Sequence, residues 1–240
     1  MPTDPLEYGA TSAAVEAHLL GRLPWELCQT LQERLVGQAI DRLDGQIRLL
    51  VCEHSEVITI GRGGSPAEVQ LDSGRIRSGL LPVRWVKRGG GCLVHAPGQL
   101  AVYPIVPLRW HGLSVGVYLE RLQNGIRRAL AELGVPAEAQ SGRYGLWGRT
   151  GQLVALGVAV RDGVTSHGAF VNVNPPMGLF RLIENGPFDQ THMSCLVAER
   201  RQPVRMTSVR AELVRHLSEA FGCDRYHLYT GHPWLRRRGP

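Results

Sequence analysis

Residues 86–106 read VKRGGGCLVHAPGQLAVYPIV. Two cations, Lys87 and Arg88, precede three glycines; the apolar triplet Cys92-Leu93-Val94 leads to His95; Pro97-Gly98 punctuates; an apolar run closes the stretch. The pattern predicts strand, glycine loop, strand. Glycines at such a junction let the backbone take φ > 0 and approach a ligand closely. Arg88 brings fixed positive charge to that approach and His95 a titratable group. Taken alone, the stretch fits a glycine bulge with surface cations as well as it fits a binding loop.

Working outward, the flanks predict strands at 82–86 and 100–106, with Pro104 and Pro107 marking an edge or an exit at the far end. Upstream, Trp25, Cys28, Leu31, Leu35, Ala39 and Leu43 recur every three to four residues and predict a helix over 24–43. Short apolar runs predict strands at 47–52 and 57–60, and residues 65–81 read as irregular. Residues 1–22 read as loop or a short strand. Downstream, Ser114 as N-cap and Gly134 as C-cap bound a helix whose buried face is Val115, Tyr118, Leu119, Leu122, Ile126, Ala129 and Leu133. Strands follow at 143–147, 152–161 and 165–173, the last two joined by an Asp162-Gly163 hairpin turn. A short helix over 177–183 and an amphipathic helix over 208–221 complete the pattern. Strands in hairpins with separated helices give an α+β fold, its sheet mixed and mostly antiparallel. The expected organisation is a single domain over 1–225 with a disordered tail over 226–240.

Composition narrows the function classes. The 240-residue chain is 43% hydrophobic with a net charge of +6 and a pI near 9.4, and Lys87 is its only lysine. The basic balance suits an acidic partner. Basic residues are not interleaved with aromatics in a stripe, so no nucleic-acid partner is expected. The five cysteines (Cys28, Cys52, Cys92, Cys195, Cys223) show no CxxC or Cys/His ligand spacing, so neither a disulfide framework nor a metal site is expected. The first residues carry no basic and apolar leader pattern and no apolar run is long enough to span a bilayer; a cytoplasmic chain with no membrane partner is expected.

Histidines His54, His95 and His167 sit near strand ends or turns, and glycine neighbours at His95 and at His167-Gly168 point to a shared pocket or to structural packing. Asn172 and Asn174 share a strand face. Among nucleophiles, Cys92 lies in an apolar triplet and Cys28 on a helix core face, whereas Cys195 lies in an irregular stretch near His192. A reactive thiol needs a cation or equivalent to lower its pKa.

These blocks resemble a known family. Arg88-Gly89-Gly90, then His95-Ala96-Pro97-Gly98-Gln99-Leu100 and Tyr103-Pro104-Ile105, are similar to the signature of the lipoyl/octanoyl transferases. The segments Leu49 to His54 with Val57 to Arg62, Gly145-Leu146-Trp147, Ala155-Leu156-Gly157-Val158, and Ser166-His167-Gly168-Ala169 with Asn172-Val173-Asn174 fit its other blocks. The resemblance implies a fold shared with biotin and lipoate protein ligase catalytic domains. It implies octanoyl transfer from acyl carrier protein to a lysine of a lipoyl domain, in 2-oxoacid dehydrogenases or the glycine cleavage H protein, through a cysteine thioester. No cofactor is implied and a monomer is expected. The implied acyl pocket comprises Arg88, Gly89, Gly90, Gly91, Cys92, Leu93, Val94 and His95, then Ala155, Leu156 and Gly157, then His167, Gly168, Ala169 and Phe170.

Two positions depart from the family. A gapless reading puts its nucleophilic cysteine on Gly186 and its pKa-lowering lysine on Gln152. Losing both together is what a changed or abandoned chemistry would leave. The expectation for an active protein is Cys195 as a displaced nucleophile, with Lys87 or His192 lowering its pKa. The alternative is a non-catalytic binder of acyl groups, carrier protein or lipoyl domains. A ligase-like reading through an adenylate finds no nucleotide site in the sequence.

Overall fold

A computed structural model describes residues 14–42, 44–71, 73–183 and 192–235. In chain order the elements are β1 (Val15–Leu23), α1 (Trp25–Arg42), β2 (Arg48–His54), β3 (Val57–Ile60), α2 (Gly74–Arg77), β4 (Val83–Trp85), β5 (Cys92–His95), β6 (Gln99–Ile105), α3 (Val115–Glu132), β7 (Gly145–Gly148), β8 (Gly151–Arg161), β9 (Val164–Asn172), α4 (Leu196–Arg200), α5 (Met206–Ala220) and β10 (Tyr226–Thr230). The large sheet runs β10-β1-β2-β6-β9-β8-β7 and the small one β4-β3-β5. β1 pairs parallel with both β10 and β2, and β3 parallel with β4; the other pairings are antiparallel. The fold is α+β with a mixed, mostly antiparallel sheet, as the sequence indicates.

Alternating side chains of the large sheet feed two cores. Val51, Val102, Val171 and Leu156 face α3 and α5, with Tyr118, Leu122, Ile126, Leu213 and Leu217 opposite. Cys52, Ala101, Tyr103 and Phe170 face α1, meeting Trp25, Cys28, Leu31 and Leu35. The small sheet closes a third core with Leu179 and Phe180, from the 3-10 turn over Met177–Leu182.

Local chemistry explains most boundaries. Ser114 accepts a hydrogen bond from the Val117 N–H, and Gly134 takes φ 70° just past the end of α3. Val115, expected on the buried face of α3, is 43% exposed at the first position of the helix. Asp162 and Gly163 both take positive φ (50° and 79°), the requirement of a two-residue hairpin turn, and join β8 to β9 with Arg161 opposite Val164.

Four expectations change. β1 is a full nine-residue strand where only a loop or short strand is expected. Residues 65–81 contain a capped 3-10 turn over Pro66–Glu68 and the short α2. The stretch from 226 is not a disordered tail over the described residues: Tyr226–Thr230 pairs with Val15–Leu19, because the outer edge of β1 carries backbone donors and acceptors that need partners. Pro104 lies in a central strand, not at a sheet edge. It is tolerated because β6 pairs with β9 only from Gln99 to Val102. Beyond that point Thr165 donates from Oγ1 to the Pro104 carbonyl and accepts from the Val106 N–H. His167 takes φ 56° here, and its N–H is satisfied by Gln32 Oε1 from α1 at 2.8 Å. Residues 236–240 and Leu43, the expected last residue of the first helix, lie outside the described residues. Among the described residues no helix is long and apolar enough to cross a membrane.

Candidate functional site

The glycine stretch crosses between β4 and β5 and is held on both sides. The loop after β3 runs alongside it: Gly61 donates to the Gly91 carbonyl (3.1 Å), Arg62 to the Arg88 carbonyl (3.0 Å) and Gly63 to the Gly90 carbonyl (3.0 Å). A Cβ on Gly61 would stand 2.4 Å from the Gly90 oxygen, so this approach requires glycine. On the other side the Gly89 N–H donates to the Val158 carbonyl of β8 at 2.8 Å. A Cβ on Gly157 would meet the Gly89 oxygen at 2.8 Å and Arg88 Cδ at 2.9 Å. The sequence pattern thus lets two glycine loops and a strand pack backbone to backbone.

Arg88 lies inside this junction with no solvent exposure. Its Nη2 donates to Thr59 Oγ1 (2.8 Å) and the Thr59 carbonyl (3.0 Å), and its Nη1 to the Gly89 carbonyl (3.0 Å). Burial pulls its pKa down to about 10, which leaves it cationic near neutrality. Arg88 starts a polar chain. The Thr59 hydroxyl bonds His95 Nε2 (2.8 Å), His95 Nδ1 bonds Gln99 Oε1 (2.8 Å), Gln99 Nε2 donates to Asn172 Oδ1 (2.9 Å), and Asn172 Nδ2 donates to the Ser194 carbonyl (3.0 Å). Arg88 uses the Thr59 oxygen as an acceptor, so the Thr59 proton goes to His95 and every later link runs in the same direction. The glycine loop is thereby connected to the segment carrying Cys195.

A cleft of about 770 Å³ opens over this junction. Arg88, Gly90, Gly91, Cys92, Leu93 and Val94 form one wall, and Gln152, Ala155 and Leu156 of β8 the other. Trp147, Met177, Phe180 and Met193 add apolar surface, while Arg143, Arg181 and His192 bring polar groups to it. The 192–194 segment is fixed to the start of β8: Gln152 donates to the His192 carbonyl (2.8 Å) and the Ser194 N–H to the Gln152 carbonyl (2.9 Å).

Eight of the expected pocket residues therefore line one cleft: Arg88, Gly90, Gly91, Cys92, Leu93, Val94, Ala155 and Leu156. Gly89 and Gly157 form its backing. The others are placed elsewhere. His95, His167 and Phe170 are buried on the α1 side, where the Trp25 ring stacks on His95 (centroids 4.8 Å) and on His167 (6.3 Å), and His95 packs against Phe170 (4.5 Å). Burial, with Arg88 and neighbouring histidines adding repulsion, holds His95 well below its usual range; burial and Arg88 bring His167 down to about 4. Both rings are neutral at pH 7. Ala169 faces the α3/α5 core, and Gly168 lies tight against the Val102 carbonyl of β6.

The expected catalytic pair is not assembled in the cleft. Lys87 is exposed and contributes nothing to the cleft wall, because its neighbour Arg88 is the cation that turns inward. Cys195 is 4% exposed at the N-cap of α4, two residues beyond the cleft-wall residue Met193. Cys92 is on the wall, but burial and Glu68 push its thiol up to about 11, so it is a neutral wall residue. Gly186 lies outside the described residues.

Two features escaped the sequence. Trp25 was legible only as one apolar residue of a helix face; nothing in its spacing marks the stacking role. Cys28, Cys52 and His54 converge in the α1 core with their donor atoms within 4.8 Å of one another. Cys52 and His54, two apart on a strand, share a face, and that half was readable.

Comparison with known proteins follows this architecture. A lipoate-protein ligase A bound with ATP superposes with a TM-score of 0.71 at 16% identity, over 91% of this chain and 90% of that one. A bi-partite lipoate protein ligase from Thermoplasma acidophilum gives 0.67 at 18% identity, over 92% and 88%. At these identities the likeness concerns the fold. In sequence, an octanoyltransferase of Chloroflexus aurantiacus is 33% identical over 212 residues, covering 86% of this chain and 94% of the relative. An octanoyltransferase of Geobacter metallireducens is 36% identical over 191 residues, covering 80% and 86%. Residues 26–221 match the family described as the lipoyl protein ligase A/B catalytic domain. That match spans the glycine loop, both cleft walls and most of the three cores, and the chain belongs to this family.

Proposed function

We propose that this protein transfers an octanoyl group from acyl carrier protein to a lysine of a lipoyl domain. The observation that carries the reading is the cleft between β5 and β8, in a chain whose relatives of similar length are named octanoyltransferases. Leu93, Ala155, Met177 and Met193 offer apolar surface to the acyl chain. Burying seven alkyl carbons at about 0.8 kcal/mol each supplies about 6 kcal/mol toward holding it. Arg143 and Arg181 are exposed beside the cleft and suit the acidic surface typical of acyl carrier proteins.

In this reading the acyl group passes through Cys195. Its sulfur attacks the thioester carbonyl, the carrier thiol leaves with the proton, and a thioester forms on the protein. The lysine amine then attacks that carbonyl, an amide forms, and the proton lost by the amine returns to the Cys195 sulfur. The Cys195 side chain must turn toward the cleft for this, past Met193. His192, exposed on the cleft wall three residues before Cys195, takes the role of proton acceptor in this reading. Lys87 takes no part.

The test is intact mass after incubation with octanoyl-acyl carrier protein, with and without a lipoyl domain. An octanoylated lipoyl domain, and a hydroxylamine-labile adduct on wild-type protein that Cys195→Ser cannot form, is the expected result. Transfer that persists in Cys195→Ser overturns the thioester step. No octanoylated lipoyl domain overturns the function.

A further inference from the structure

Behind the cleft, Cys28 of α1 meets Cys52 and His54 of β2, all three buried. The two Sγ atoms are 3.9 Å apart, and Cys52 Sγ is 3.5 Å from His54 Nε2. Donors in a tetrahedral zinc site, at about 2.3 Å for sulfur and about 2.0 Å for nitrogen, stand about 3.8 Å (S–S) and about 3.5 Å (S–N) from each other. Both measured edges match these values, and all three donors lie within 4.8 Å. The imidazole is oriented for the purpose. His54 Nδ1 bonds the Leu23 carbonyl at 3.1 Å, which puts the ring proton on Nδ1 and leaves the Nε2 lone pair facing the thiols. A metal-bound histidine is held in the same way, by a carbonyl on its other nitrogen. The Tyr103 hydroxyl, 2.7 Å from Nε2, donates to that lone pair and would yield it to an ion; at that distance it is not itself a ligand, since a tetrahedral N–O edge is about 3.3 Å.

We propose that Cys28, Cys52 and His54 form a structural site for a thiophilic divalent ion, zinc by preference. Two sulfurs and an imidazole select zinc over magnesium or calcium, which take oxygen. The ion pins the first turn of α1 to a central strand. It thereby fixes Trp25, whose ring packs against His54 at 4.9 Å and stacks on His95 at 4.8 Å. Because the donors are buried, the ion enters as the chain folds, and two thiol protons leave. The inference is independent of the acyl-transfer reading.

The full chain, expressed with added zinc and purified without chelator, should carry about one zinc per molecule by elemental analysis, with sulfur ligands in its zinc-edge X-ray absorption. Refolding with cobalt(II) should give near-ultraviolet thiolate-to-cobalt absorption and the visible bands of a tetrahedral ion. Cys28→Ser and Cys52→Ser should lose that near-ultraviolet absorption, while Cys223→Ser keeps it. A wild-type chain with native circular dichroism but no zinc and no thiolate–cobalt absorption overturns the proposal, whether or not the variants fold. So does a Cys28–Cys52 disulfide, seen as a loss of two hydrogens in intact mass.

Discussion

Arg88 concentrates the chemistry of the site at one residue. A guanidinium without solvent exposure is costly unless its donors find acceptors; here Thr59 and the Gly89 carbonyl accept from both Nη atoms, and Nε is left without a partner. Lysine cannot fork in that geometry. Arg88→Lys should therefore destabilise the protein by about 1–3 kcal/mol, read from the urea midpoint. The sequence exposed Arg88 as a fixed charge beside glycines but could not say that its head serves the scaffold, nor which of two adjacent cations turns inward. His95 and His167 were legible as titratable groups. Their neutrality was not, because it comes from Trp25 and Arg88, brought in from distant parts of the chain. That neutrality sets a pH dependence. The unfolded chain takes up protons near the ordinary histidine value of 6.5, and the native chain does so only lower, about 4 for His167. Between those values the unfolded state binds more protons, so stability falls as pH falls, by up to about 1.4 kcal/mol per pH unit for each histidine. Urea midpoints from pH 7.5 down to 5 should show this slope. His167→Asn, whose side chain suits the positive φ there, should flatten it.

At the scale of elements, signals that act within a few residues were readable. The Asp162-Gly163 turn and the Ser114 and Gly134 caps act where they stand, and each is found in place. Elements defined by a distant partner were not. β1 becomes a strand by lying between β2 and β10, and β10 by closing the outer edge of β1, with all five of its residues exposed and therefore no apolar alternation to read. The β6–β9 contact is a third case. Pro104 suggested an edge or an exit: the strand is central, but it ends at Ile105, and near Pro104 Thr165 and the positive φ of His167 replace regular pairing with β9. Gly168 belongs to that arrangement. A Cβ there would stand 2.2 Å from the Val102 carbonyl oxygen and 2.8 Å from Pro104 Cδ. Gly168→Ala should cost about 3 kcal/mol by forcing the strands apart. Thermal unfolding of the variant checks this; an unchanged melting temperature would mean that β9 shifts freely.

At the scale of the molecule, the cleft is a meeting of the two sheets, with β5 on one side and β8 on the other. The glycine loop was legible as a close backbone approach from its residue types, whereas the Ala155-Leu156 block was marked as pocket lining only by the family resemblance. The segment at 192–195 reaches the cleft only through pairing with Gln152 and the bond from Asn172, contacts that no local spacing encodes. Gln152, where a gapless family reading expects a lysine, lies on the cleft wall. The central claim is that this cleft holds the acyl chain that is transferred. The most direct measurement is the rate at which the full chain octanoylates a lipoyl domain from octanoyl-acyl carrier protein, by intact mass, for wild type and for Ala155→Trp, which fills the β8 wall. Conversion by wild type, slowed roughly tenfold or more in a variant that melts as wild type does, is the predicted result; that factor corresponds to about 1.4 kcal/mol of lost acyl contact. Wild type no faster than the enzyme-free mixture, or a folded Ala155→Trp as fast as wild type, would contradict it.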